Sequence, residues 1–484
     1  MKLKSAMGDM LTYAVGIFLI KGISLLMLPV MAQYLEPAQL GKLELLATVS
    51  AFLGMFISVA LHEALYRFAG EKASHEEQKR IASQLFSLTL TISFLMIAAL
   101  IGFILFINDL DGWISPLSSS ELFVVIASLS LEGAIGVAMA WIRMQNKARH
   151  FLLISIATTA LQVSLILAVL FTSPSVVHIL LASTVAHFVQ FLLIQVTQRL
   201  SFSLPKPHYS SRYLAYCFPL MLSGLLAFGL NGAERWLILY ATNLEQLGLY
   251  AIAAKFTLAM CILVQPFGMW WMPKRFHVIE QQGPKQAAIY TQYGIVLIAA
   301  LAVCIAFFGQ AFIIIALPES YLFAGKILVA TLSIAVFKEL TELFNIGILA
   351  EKNTQTLLRI NMLCTFVGLS LAYTLNSFGI WGILMAVFLV QVSRMVIVTV
   401  VSQRLRQLPY DFKSMLILLV VCILLFFIAS YALTVLALIL MSVLAPMIVI
   451  FCALKLKLVT LPNRVVNSAF MSELFSKLHS LRKA

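Results

Sequence analysis

The stretch IVLIAALAVCIAFF (295–308) contains no charged or strongly polar side chain and no alternation. A membrane barrel strand would alternate polar and apolar residues over about 10 positions. A continuous apolar run of this kind reads as a helix with apolar surroundings on every side. Read outward to 287–309, it reaches the length of about 20 residues that crosses a bilayer. Runs like it recur along the 484 residues, of which 62% are hydrophobic and 11% charged. A soluble domain carries roughly 25% charged residues, so this chain lacks the charge for a water-exposed surface. Lipid admits only helices and closed barrels as spanning structures. The expected fold is therefore an all-α polytopic membrane protein with no soluble catalytic domain.

Fourteen spans are expected, from 10–33 and 42–66 at the start to 413–431 and 433–454 at the end. An even number puts both termini on one side. With the N-terminus in the cytoplasm, most of the 33 Lys and Arg fall in cytoplasmic segments. Opposite loops such as NDLDGWISPLSSS (108–120) hold none or few. Positive residues stay inside, and the net charge of +13 then faces an anionic inner leaflet rather than nucleic acid. The apolar start is too long for a signal peptide and is interrupted by Lys21, so it reads as a retained helix. The six cysteines have no CxxC spacing, which argues against a disulfide or metal framework. From Leu461 the tail reads as a basic amphipathic helix lying on the membrane surface. Trp270 and Trp271 read as an interfacial aromatic anchor.

The chain also repeats itself weakly at a constant offset of 207 residues. AQYLEPAQLGKLELLA (32–47) aligns with LYATNLEQLGLYAIAA (239–254), setting Gly41 on Gly248. The same offset sets Glu132 on Glu339, Asn146 on Asn353 and Arg199 on Arg406. The expected organisation is two parallel six-helix lobes, 1–210 and 211–408. Two further spans follow at 409–460, then a cytoplasmic tail at 461–484. Folds with such repeats place the substrate path between the repeats.

The opening, LLMLPVMAQYLEPAQLGKLELLATVSAFLGMFISVALHEALYRFAG (25–70), resembles the start of the Wzx-type polysaccharide flippases of the multidrug/oligosaccharidyl-lipid/polysaccharide exporter superfamily. The shared elements are Pro29, Tyr34-Leu35, Gln39-Leu40-Gly41 and Arg67. NGAERWLILYATNLEQLGLYAIAAKF (231–256) resembles the family again, as does NSFGIWGILMA (376–386). The resemblance implies a V-shaped pair of lobes with alternating access. It also implies movement of undecaprenyl-pyrophosphate-linked oligosaccharide, such as an O-antigen unit, to the outer leaflet of a bacterial inner membrane.

Seven basic residues escape the cytoplasmic segments: Lys21, Lys42, Arg235, Lys255, Lys326, Lys338 and Arg394. Lys42 and Lys326 lie near outer ends and are expected to snorkel. A charge at mid-bilayer costs roughly 2.5–3.5 kcal/mol on insertion scales and normally faces a bundle interior or a watery cavity. A diphosphate head group gives that cost a use, since Lys and Arg bind phosphate oxygens. Lys21, Lys255, Arg235, Lys338 and Arg394 are the candidate substrate ligands. Each has a structural alternative; Lys338, for one, has Glu342 one turn away. Glu234 and Arg235 are adjacent and are expected to point apart. Glu132 and Glu339 are candidate coupling residues for H+ or Na+, and Asp9 and Arg67 are candidate gate contacts. His62 and His187 read as packed or interfacial. No further cofactor is expected, and no GxxxxGK[ST] is present. The membrane potential favours outward movement of an anion by about 2.3 kcal/mol per charge per 100 mV.

Three other readings compete. A drug/cation antiporter would favour an acidic, aromatic cavity, against the leftover basic residues. A peptidoglycan-precursor flippase would show a denser arginine set in the first two helices. A membrane-embedded glycan polymerase would carry a large outer loop.

Overall fold

The computed structural model describes residues 21–70, 72, 74–106, 116–145, 147–351, 353–431 and 433–459. Asp9 and the tail from residue 461 lie outside the described residues, as does the beginning of the first expected span. Among the described residues every regular element is helical, and 13 helical stretches are long and apolar enough to cross a membrane. The first expected span is described from residue 21, with helix α1 over 21–34. The chain is an all-α polytopic membrane protein.

After α1 come α2 (Pro37–Ser58), α3 (Leu61–Ala64), a π-helical turn (Leu65–Ala69) and α4 (His75–Phe106). Then follow α5 (Ser119–Met144), α6 (Ala148–Thr172), α7 (Val176–Gln198), α8 (Pro207–Asn231) and α9 (Glu234–Ala241). The next are α10 (Leu244–Trp271), α11 (Arg275–Gln281), α12 (Pro284–Ala316), α13 (Ala324–Phe344) and α14 (Ile346–Ala350). The last are α15 (Thr354–Thr374), α16 (Gly379–Leu405), α17 (Phe412–Ala429) and α18 (Val435–Lys455).

Contacts group these helices into two compact units. The first holds residues 1–255, 316–324 and 361–387. The second holds 256–315, 325–360 and 388–484. The core of the first gathers Leu61, Leu65, Leu85, Phe86, Trp141 and Ile142. The core of the second gathers Trp271, Val278, Ile279, Ile298, Phe344 and Ile346. Large apolar side chains such as Phe103, Phe171, Leu416 and Met447 are exposed. In lipid that exposure carries no hydrophobic penalty.

Local chemistry sets the helix starts. Pro37 takes the first position of α2, where its missing N–H costs nothing, and Gln39 Oε1 accepts from the Glu36 N–H at 3.0 Å. Ser118 and Glu121 form the same kind of reciprocal box on α5. Glu121 then accepts Lys42 Nζ at 2.8 Å and is itself buried. Lys42 therefore pairs across helices instead of snorkelling as its place near an outer end predicts. The helix cap that orients Glu121 toward α2 is the reason.

Gly41 and Gly248 meet backbone to backbone within the first unit. A side chain on Gly41 would start 1.9 Å from Leu244 O, and one on Gly248 would start 1.8 Å from Pro37 O. The contact is reciprocal under the sequence offset: 37 maps to 244 and 41 maps to 248. The N-terminal turns of α2 and α10 cross here at a distance that only glycine permits. Tyr321 fixes the neighbouring chain by donating to Leu35 O at 2.6 Å.

The second helix is interrupted. Val59 (φ 44°) and Ala60 (φ 54°) are both left-handed. For a β-branched residue this is a true outlier that only the surrounding packing can sustain. Neither glycine nor proline announces it, so sequence reading predicts one continuous span over 42–66.

Two predictions follow from this geometry. Gly41→Ala or Gly248→Ala will lower the thermal unfolding midpoint of the purified protein, by the overpacking cost of about 1–3 kcal/mol or more. An unchanged midpoint in both variants would refute the close crossing. At the start of α17, Asp411 accepts from Ser414 N at 3.1 Å and from Ser414 Oγ at 2.6 Å. These bonds hold its carboxyl below the usual carboxylate range. The cap thus contributes fully above the ordinary aspartate value near 3.9 and fades as pH falls through its lower folded value. Asp411→Ala will destabilise the protein at pH 7 by about 1 kcal/mol. That difference from the parent, followed by thermal unfolding, will shrink on strong acidification.

Candidate substrate and ion site

The charges expected within the spans divide by what they touch. Lys21 is exposed on α1 and Lys255 is half-buried on α10. Neither has an ion-pair partner among the described residues. Arg235, at the start of α9, is held by two acids. Its Nε donates to Glu44 Oε1 at 2.6 Å and its Nη1 to Glu234 Oε1 at 2.9 Å. Tyr250 adds a hydroxyl bond to Glu234 Oε1 at 3.0 Å and offers its ring to the guanidinium at 5.7 Å. Glu234 and Arg235 thus meet instead of pointing apart. The short α9 begins right after a turn at Gly232–Ala233, and the long arginine folds back onto its neighbour. Glu44 lies three residues beyond Gly41, so the close helix crossing and this clamp sit together. Sequence reading missed Glu44 and Tyr250, although both lie in the repeated segments that it aligned.

In the second unit Lys338 and Glu339 are half-buried on α13. Glu339 accepts a hydrogen bond from the Cys261 thiol and feels the Lys338 ammonium beside it. Glu342 is not taken by Lys338. It accepts from Arg394 Nη2 at 3.3 Å and from Asn345 Nδ2 at 3.0 Å. Asn345 Oδ1 in turn accepts from Arg275 Nη1 at 3.0 Å. Arg275 and Arg394 are both buried, so one carboxylate serves a chain of side chains running from α11 through α13 to α16. Trp271, expected as an interfacial anchor, is wholly buried in this region, while Trp270 keeps partial exposure. The helix ends at Trp271 and turns its ring inward against Tyr290.

Glu132 differs from these. It lies on α5 with both carboxylate oxygens 3.6 Å from the point where a Gly54 side chain would begin. It has no hydrogen-bond or ion-pair partner among the described residues. Four residues earlier, Ser128 Oγ bonds His187 Nδ1 at 2.8 Å, which makes His187 a packed residue as expected. Arg67 stands exposed on the π-helical turn.

The second unit also carries an apolar groove of about 580 Å³. Its walls come from α12 (Ile295, Ala302), α13 (Phe337, Leu340), α16 (Phe388, Met395) and α17 (Phe412, Leu419). Some of its lining residues, Leu416 and Ile423 among them, also belong to the exposed apolar surface.

Helices of this length and apolarity define a multi-pass membrane protein. The sequence matches the family described as polysaccharide biosynthesis protein over residues 7–275, more than half of the chain, and the chain belongs to that family. Among solved structures it is similar to the lipid II flippase MurJ in an inward closed conformation. That likeness has a TM-score of 0.72 at 14% identity and covers 91% of this chain and 98% of that one. Two multidrug resistance MATE family transporters of the MOP superfamily are similar as well. The inward-facing one has a TM-score of 0.56 at 13% identity, covering 82% of this chain and 97% of that one. The outward-facing one has 0.52 at 15%, covering 83% and 96%. At such identities the likeness shows the fold alone. No curated protein matches in sequence.

The clamp yields a prediction. Removing one member of a largely buried pair leaves the other charge uncompensated, at a cost of roughly 3 kcal/mol. Glu44→Ala will lower the unfolding midpoint of the purified protein more than Glu44→Ala adds to an Arg235→Ala background. Simple additivity of the two changes would mean that the pair contributes nothing.

Proposed function

We propose that this protein is a flippase for a polyprenyl-diphosphate-linked oligosaccharide of a surface polysaccharide such as O-antigen. It carries the lipid from the inner to the outer leaflet of a bacterial inner membrane. The apolar groove of the second unit is the observation that carries this reading. A soluble drug has no need of a long apolar bed beside lipid-facing helices, whereas a polyprenyl tail does. Membership of the polysaccharide biosynthesis family supports the same cargo.

In this reading the tail lies in the groove while the diphosphate passes the unpaired lysines, Lys21 and Lys255. Arg235, Arg394 and Lys338 are weaker candidates as ligands, since carboxylates already stand against the first two and beside the third. The chain works by alternating access, with the two sequence halves as its moving lobes and both termini in the cytoplasm. The membrane potential drives the anionic head outward, with an exchanged H+ or Na+ as a further source of coupling. The fold likeness to MurJ favours a second cargo of the same chemistry, a peptidoglycan lipid precursor. The denser arginine set expected in the first two helices of such carriers is not evident in this sequence, which speaks for the first.

The test is a leaflet assay in cells lacking the protein and any redundant flippase. The polyprenyl-linked glycan is expected to accumulate on the cytoplasmic face. Normal outward delivery would reject the reading. Lys21→Ala and Lys255→Ala will abolish complementation at unchanged protein level, Lys→Arg will retain more activity than Lys→Glu, and Leu419→Asp in the groove will impair it. Full function of the Glu variants would remove the lysines from the path.

A further inference from the structure

The apolar groove of the second unit opens at one end into a further hollow of about 830 Å³, and Thr399, Val400 and Phe412 line both. The groove is walled by phenylalanine, leucine and methionine, whereas the hollow adds Lys285, Arg404 and Gln407. Three helix ends gather here: the start of α12 at Pro284, the end of α16 at Leu405 and the start of α17 at Phe412. Helices that cross a membrane end at its surface, so the hollow lies at headgroup level and the groove runs from it into the hydrocarbon. Along α17 the groove is lined from Phe412 to Phe426. At 1.5 Å per residue that stretch is about 21 Å long, more than the roughly 15 Å of hydrocarbon in one leaflet.

The mouth carries charge that the protein does not use. Lys285 and Arg404 are exposed and have no ion-pair partner among the described residues. No acid is among the residues that line the hollow. The acids nearby are engaged elsewhere: Asp411 accepts from Ser414, and Glu351 takes Arg406, two residues beyond Arg404, at 3.7 Å. Gln403 is spent on the chain itself. Its Nε2 donates to Leu408 O at 3.1 Å and its Oε1 accepts from Leu408 N at 2.9 Å, which fixes the turn that carries Gln407 on the rim. α12 adds the positive end of its dipole at Pro284.

We propose that this mouth seats one anionic glycerophospholipid of the surrounding leaflet, its phosphate held by Lys285 and Arg404 and one acyl chain laid in the groove. Lysine supplies a point charge and arginine a fork for the phosphate oxygens. A second apolar path starts at the same place, where Leu405, Leu416 and Ile417 stand exposed. A lipid with two chains fills both paths, whereas a single polyprenyl chain leaves one empty. Basic pockets between membrane helices on the cytoplasmic side suit anionic headgroups, and the orientation expected from the basic residues puts this end in the cytoplasm. The site goes beyond the transport reading and does not rest on it, because its occupant is a component of the membrane and not the cargo.

The test uses the full-length protein purified in a neutral detergent. Native mass spectrometry follows the binding of dioleoylphosphatidylglycerol, with dioleoylphosphatidylcholine, inorganic phosphate and undecaprenyl diphosphate as parallel probes, and thermal unfolding is recorded alongside. One phosphatidylglycerol is expected to bind saturably and to raise the unfolding midpoint, while phosphatidylcholine and inorganic phosphate do neither. Lys285→Gln combined with Arg404→Gln weakens that binding about thirtyfold, since each charge near an anionic lipid is worth about fivefold. Lys72→Gln combined with Lys206→Gln removes the same charge from exposed sites elsewhere and leaves it unchanged. Thr399→Trp fills the shared stretch, keeps both cations and also weakens it. Should Thr399→Trp not fold, the Lys285/Arg404 pair decides, because both side chains are exposed. The proposal is overturned if phosphatidylglycerol and phosphatidylcholine bind alike, or if the Lys285/Arg404 variant binds phosphatidylglycerol as the parent does. It is equally overturned if the Lys72/Lys206 variant loses as much, which would mean a general attraction to a basic protein. Displacement of phosphatidylglycerol by inorganic phosphate would make this a free-anion site, and displacement by an equal concentration of undecaprenyl diphosphate would make it a cargo site; either result also overturns the proposal. Phospholipid binding is measured without any glycan, so its failure leaves the leaflet assay untouched, and a failed leaflet assay leaves the lipid site standing.

Discussion

In lipid a polar group finds no water, so every backbone break and every bare charge must be met by the protein itself. This constraint orders the whole molecule. It makes long apolar helices the default and leaves their outward faces greasy. It turns each deviation into a feature that asks for a partner. Lys42 finds Glu121, Arg235 finds Glu44 and Glu234, and Arg394 and Arg275 share the reach of Glu342. Against that background Lys21, Lys255 and Glu132, with no ion-pair partner among the described residues, are where an outside ligand has something to gain.

Much of this was legible from residues alone. Apolar runs of bilayer length give the helical class, and the basic residues between them give an expected orientation. The offset of 207 residues aligns positions that also stand in comparable surroundings in the structure. It aligns Gly41 with Gly248, which the structure brings into contact, and Glu132 with Glu339, which stand beside Gly54 and Cys261 respectively.

Other features left no trace in the pattern. The interruption at Val59–Ala60 has neither glycine nor proline, because tertiary packing rather than local propensity holds it. The pairing of Lys42 depends on a cap on a distant helix. The folding back of Arg235 onto Glu234 depends on where α9 begins, by a margin smaller than the error on any predicted boundary. The burial of Trp271 beside an exposed Trp270 depends on which way a helix ends. The apolar groove comes from four helices whose order in the chain says nothing about which faces they share. Periodicity reports what kind of surface a segment has, while partnership is decided by geometry that only the assembled chain fixes.

The contact between Gly41 and Gly248 has a consequence for how such a chain can diverge. Each glycine touches the other's backbone, so a methyl group gained at either one is felt by both halves. Two positions 207 residues apart are bound to a common fate, whatever the segments around them become. A lineage can rewrite nearly every other letter of the two segments independently, yet here it has a single choice to make, not two.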